Sequence, residues 1–170
     1  MSRMGGESMI AEIFQSAVAY DSGDARRIQH FVKVHDFARQ IGLAEGLAEG
    51  ELETLEIAAI LHDIGIHASE ETYGDCGGKH QEEMGPPIAG ELLQGFPLSE
   101  EQRQRICFLI AHHHTYNNVQ GLDYQILLEA DFLVNAYEDN LPQEAICCFA
   151  EKVFKTQTGK TMLYQMFGIK

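Results

Sequence analysis

No proline occurs in the first 85 of the 170 residues, and only four occur in all. A chain without that imino acid keeps every backbone donor, so nothing interrupts long helices over its first half. Basic residues are scarce too: 12 Lys and Arg stand against 26 Asp and Glu, a formal net charge of -14. Such a chain is a poor standing partner for a nucleic-acid backbone, whose binding relies on cationic side chains neutralising phosphates. It is equally ill suited to an anionic membrane surface. The charge reads as a solvated acidic surface, and an anionic ligand would then need a local positive centre such as a bound metal. The four cysteines, Cys76, Cys107, Cys147 and Cys148, form neither a CxxC pair nor a disulfide framework. Reduced thiols in a soluble, cytoplasmic protein are the simplest expectation. Between Met1 and Met9 there is no basic stretch leading into an apolar one, and no apolar run approaches membrane-spanning length.

What is present is helical periodicity, with no convincing alternation of the strand type. The length suits one domain with a real core. Helices are expected over Met9–Tyr20, from Asp24 as N-cap to about Ile41 with Gly42 just past the end, and over Leu52–Asp63. A Gly-rich loop is expected from Ile64 to His80. A helix should resume near Gln81, with Pro86 and Pro87 in its first turn. Ser99 and Gln102 form a capping-box pattern before a helix that reaches His112-His113-His114. Further helices should cover about Asp123–Glu138 and a segment opened by Pro142.

Four residues in this pattern carry the chemistry of a metal site. His30 lies at helical spacing from Val34, Phe37 and Ile41 and so faces the core. Asp131 shares a stripe with Tyr124, Leu127 and Val134. An unpaired carboxylate buried there costs several kcal/mol, to order of magnitude, so it needs donors, a base or a cation. His62 and Asp63 close the apolar run Ile57–Leu61 and precede Ile64 and Gly65. They diverge by about 100 degrees on a regular helix, yet at a helix end both can reach one ion. Imidazole and carboxylate are ligands for a divalent ion of borderline hardness. A second pair, His35-Asp36, sits mid-helix about 140 degrees from His30, and His35 is assigned to the surface or to a supporting position.

Arg27-x-x-His30 with Val34 and Ala38, Leu61-His62-Asp63-Ile64-Gly65, Gly85 with Ala89 and Leu93, the His triplet, and Ala130-Asp131 together resemble the HD superfamily of metal-dependent phosphohydrolases over about residues 26–138. The resemblance implies an all-α, single-domain helical bundle spanning residues 1–170. It also implies a divalent ion (Mn, Fe, Co, Ni, Zn or Mg) on His30, His62, Asp63 and Asp131. A second metal is in doubt, because Gln81 stands four residues before Gly85 where some members place a histidine. His80, Glu82, His113 and His114 are the candidates for that second site or for the pocket. Asp63 is expected to be both ligand and orienter of the attacking water, with His113 beside it. Lys33 and, more weakly, Arg27 are candidates for contact with substrate phosphate, as is His114. The implied activity is hydrolysis of a nucleotide or other small phosphate ester, monoester and diester not being separated. Paired-iron oxygen chemistry and a metal-containing binding or regulatory module are the alternatives, and a homodimer is left open.

Overall fold

The computed structural model describes residues 3–169, with side chains from residue 8 onward, so Met1, Ser2 and Lys170 lie outside the described residues. Nine helices and no strand occur among the described residues. They are α1 (Arg3–Tyr20), α2 (Ala25–Ala44), α3 (Glu49–Leu61), α4 (Ile66–Tyr73), α5 (Gly78–Leu93), α6 (Glu100–Ile110), α7 (Leu122–Glu138), α8 (Gln143–Val153) and α9 (Gln157–Phe167). No helix among the described residues is long and apolar enough to cross a membrane. All four cysteines are free thiols.

The bundle is built around α3 and α7. Every residue of α3 from Thr54 to Leu61 is buried, as are those of α7 from Ile126 to Val134. Helices apolar on all sides have no solvent face to present and must sit centrally. Helix α2 packs across both, α1 covers α3, and the α4–α5–α6 group closes the remaining side. Ile13, Val34, Leu55, Leu61, Ile106, Leu109 and Leu133 are fully buried in the common core. Each such side chain contributes about 1.5–3 kcal/mol of transfer free energy. Asp24 caps α2 by accepting the Arg27 amide, and Ser99 and Gln102 form the reciprocal box at the start of α6.

Three local expectations are corrected. Helix α2 runs through Gly42 to Ala44; Gly42 is buried, and a Cβ there would stand 2.8 Å from a Leu52 methyl. That glycine serves close approach to α3 and does not stop the helix. The stretch Ile64–His80 is mostly helical: after the turn at Ile64 and Gly65, α4 fills Ile66–Tyr73 and ends at Gly74, whose φ of 74° supplies the left-handed cap. The glycines that suggested a long loop are confined to the break between α4 and α5. Pro86 and Pro87 lie well inside α5. Their missing amides cost that helix two hydrogen bonds. Burial of Gln81, Gly85, Ala89 and Leu93 at four-residue spacing offsets the loss.

Candidate metal centre

His30 projects from α2, His62 and Asp63 from the turn that ends α3, and Asp131 from α7. At that turn the Ile64 amide donates back to the Leu61 carbonyl and the Ile66 amide to that of Asp63. The two adjacent side chains thereby reach one point. His30 Nε2 lies 3.1 Å from Asp131 Oδ1, 3.4 Å from Asp63 Oδ2 and 3.3 Å from His62 Nε2. His62 Nε2 lies 3.4 Å from Asp131 Oδ1 and 3.5 Å from Asp63 Oδ2. Donor atoms bound to one ion at about 2.0–2.2 Å are separated from one another by distances of this size.

The far side of each ring decides what the near side can do. His62 Nδ1–H donates to the Ala59 carbonyl at 2.7 Å, and His30 Nδ1–H donates to Glu138 Oε2 at 2.9 Å. A carbonyl only accepts, so in neutral His62 the proton is on Nδ1 and the Nε2 lone pair faces the cluster. Two such lone pairs 3.3 Å apart repel unless a positive charge stands between them. Burial alone pulls the His30 pKa down, but the Asp131 hydrogen bond and the charges of Asp63 and Asp131 lift it to about 9. Burial likewise opposes protonation of His62, and Asp63 and Asp131 reverse the direction there too. The two carboxyls move the opposite way: despite burial, the imidazoles hold both below the usual carboxylate range. These surroundings demand a cation at the convergence of the nitrogens, as a proton or as a metal ion.

Asp63 also faces a second group. Its Oδ1 lies 3.4 Å from Nε2 of His113, a ring with no exposure whose Nδ1–H donates to the Ile110 carbonyl at 2.7 Å. His113 Nε2 is buried without any hydrogen-bond partner. His114 packs against His113 at 4.0 Å between ring centres, and Asp63, His113 and His114 form a second set of donors close enough to share an ion. Burial, reinforced by the His113 neighbour, depresses the His114 pKa to about 4. Gln81 stands behind His114, its Oε1 2.9 Å from His114 Nε2.

Other candidates point elsewhere. His80 is 2.8 Å from Asp75 and stacks on Tyr73. Glu82 accepts the His114 amide and the Thr115 hydroxyl, which pins the chain after α6. Neither joins the donor cluster. His112 turns away to stack on Phe108. His35 lies in a separate partly buried pairing with Glu56 at 3.0 Å. Lys33 Nζ pairs with Glu138 Oε1 at 2.6 Å at the edge of the site. Arg27 lines a cavity of about 400 Å³ that opens onto His30 and Asp63.

Sequence reasoning passed over Glu138 and Asn135. Glu138 holds both His30 and Lys33, and Asn135 Nδ2 donates to Asp131 Oδ1 at 2.9 Å. Asp131, Asn135 and Glu138 fall at i, i+4 and i+7 of one helix face, a spacing that could have found them.

An HD-domain family model matches residues 27–152. Among solved structures, that of a predicted HD superfamily hydrolase from an uncultured Thermotogales bacterium is similar at 26% identity and a TM-score of 0.65. The match covers 94% of this chain and 83% of the other. Among curated proteins none matches. With the family model spanning most of its length and the His and Asp side chains gathered as described, this chain belongs to the HD-domain family.

Proposed function

We propose that this HD-type hydrolase cleaves a nucleotide or another small phosphate ester, with a divalent ion held by His30, His62, Asp63 and Asp131. The observation that carries the reading is the convergence of His30 Nε2 and His62 Nε2 on two buried carboxylates, each ring committed elsewhere through Nδ1. A divalent ion bound there makes water more acidic and polarises a phosphoryl oxygen.

The chain's own groups do the rest. Asp63, with one oxygen toward His30 and His62 and the other toward His113, accepts a hydrogen bond from the attacking water and fixes its direction. His113, its Nδ1–H committed to a carbonyl, receives the water proton on Nε2. The water oxygen bonds to phosphorus as the ester P–O bond breaks, and the leaving oxygen takes a proton from solvent to become an alcohol, balanced by the proton that His113 then gives back to solvent. Arg27 and Lys33 offset charge on the phosphoryl oxygens, and His114, packed on His113, offers a further polar contact on the other side of Asp63. The partner in this reading is a small phosphorylated compound in the cytoplasm. Nucleic acid and membrane are disfavoured by the net charge of -14.

The Asp63–His113–His114 group favours a second ion as an alternative, and with it paired-metal chemistry. Gln81 weighs against this, because an amide oxygen already bonded to His114 is a weak ligand. Elemental analysis of protein purified without chelator, followed by a phosphate-ester panel, separates the readings. Asp131→Asn is expected to retain its helical circular dichroism while losing most bound metal and at least about a hundredfold in hydrolysis. Wild-type metal content and turnover in that variant would sink the assignment.

A further inference from the structure

The cavity over the metal centre has a composition that bears on the substrate, and the inference rests on the phosphohydrolase reading. At about 400 Å³ it is near the small end for ligand pockets. Five carboxylates line it (Asp24, Asp63, Glu70, Glu138 and Asp139) against two guanidiniums, Arg26 and Arg27. Both guanidiniums already face acids: Arg26 lies 3.7 Å from Asp139, and Arg27 lies 3.9 Å from Asp24 and 4.0 Å from Glu70. Among the described residues, no aromatic ring but that of His30 and no branched aliphatic side chain lines the cavity.

Each feature excludes a class of ligand. A nucleobase is held by stacking on an aromatic face and by apolar walls, which this cavity lacks. A polyphosphate tail would bring further negative charge against Asp24, Glu70 and Asp139. Carboxylates only accept hydrogen bonds, so whatever lies among them must donate.

We propose that the site takes a compact phosphate ester with a single phosphate on a non-aromatic, hydrogen-bond-donating body, the donors being hydroxyl or ammonium groups that face Asp24, Glu70 and Asp139. The phosphate lies toward His30 and Asp63, and the body lies outward among the carboxylates. Arg27 sits at the junction between them.

The metal-loaded protein is assayed with glycerol 1-phosphate, O-phosphoethanolamine, AMP, ATP and p-nitrophenyl phosphate. Either or both of the first two should exceed AMP in kcat/KM by about tenfold, with ATP lowest, and the pair tells hydroxyl from ammonium. AMP equal to or better than both would overturn the inference while leaving the hydrolase reading intact. Phosphate release from none of the five, p-nitrophenyl phosphate included, would remove both. Thermal shifts with non-cleavable phosphonate counterparts of the same bodies should follow the same order without turnover. Glu70→Gln, at an exposed position of α4, should move the ratio of kcat/KM values toward AMP by about threefold or more. An unchanged ratio would count against the placement of the body.

Discussion

His30 shows how much one side chain can be asked to do. Its Nε2 meets Asp131, Asp63 and His62, while its Nδ1 is held by Glu138, which in turn grips Lys33. Carboxylates behind ligating imidazoles fix the ring and raise its basicity, and their loss typically weakens metal affinity about 10–100-fold. Glu138→Gln keeps an acceptor for Nδ1–H but loses the charge. It is expected to weaken metal binding about tenfold in competition with a chromophoric chelator, while His35→Ala, remote from the cluster, leaves it unchanged. Equal affinity in Glu138→Gln and wild type would show that Glu138 only packs.

A different acid illustrates the cost of burial without a hydrogen bond, its Oδ1 standing 3.4 Å from His67 Nε2. Asp21 Oδ1 is buried with no hydrogen bond, and burial lifts its pKa to about 6, against the pull of His67 and Arg27. An acid whose folded pKa is raised above its unfolded value penalises the folded state above the folded pKa. The penalty fades as pH falls from about 6 toward the unfolded value near 4. Asp21→Asn should therefore stabilise the protein at pH 7.5 by about 1 kcal/mol, allowing for solvent screening, or about 3 °C in Tm. The gain should vanish near pH 4. Thermal melts of both proteins across that range check it, and a gain that persisted at pH 4 would contradict the cause given.

Among the elements, the turn between α3 and α4 is constrained by the backbone of a neighbouring helix. Gly65 is pressed against α5, where a Cβ would meet the Gly85 amide nitrogen at 2.5 Å and the Gln81 carbonyl oxygen at 2.9 Å. Those are backbone atoms, so the neighbour cannot step aside by changing rotamer. Gly65→Ala should push α4 and α5 apart next to His62 and Asp63. An expected loss of about 2–4 kcal/mol, in the range of core overpacking, would be read by urea denaturation. Metal content should fall with it. Gly50→Ala, where a Cβ has open space, is the matched control.

At the scale of the whole molecule, the candidate metal centre joins α2, the end of α3 and α7, so ion occupancy would be linked to folding. An ion that binds only the folded state adds about 2.7 kcal/mol when present at a hundred times its Kd. For a chain of this length, chelation should lower Tm by about 5–10 °C, and re-addition of Mn, Zn or another fitting ion should restore it. A Tm indifferent to chelator, in protein shown by elemental analysis to lose its metal, would mean that the cluster is stable without a cation.

Much of this was legible from order and spacing alone. The stripes that place His30 and Asp131 inward are local properties of a helix, and the stop after Leu61 marks His62-Asp63 as a terminus. The capping signals at Asp24 and Ser99 likewise act over four residues. Glu129 shows where this reasoning stops. It is a fully buried carboxylate two residues before Asp131, yet it is satisfied by the amides of Lys155 and Thr156 and by Gln125. Nothing local distinguishes an acid that will find amide donors from one that will face imidazoles. The same limit applies to Glu82, turned to the chain after α6, and to Lys33, drawn to Glu138 from another helix.

The residue order by itself determined the helical class, the inward direction of the four principal candidates and the shortage of cationic partners, because periodicity, capping and charge act along the chain. Only the tertiary structure decided that Glu138 stands behind His30, that His113 turns an unpartnered nitrogen toward Asp63, and that carboxylates wall the cavity. Those relations join residues up to 108 positions apart, and they exist only once the packing of α2, α3 and α7 has brought their ends together.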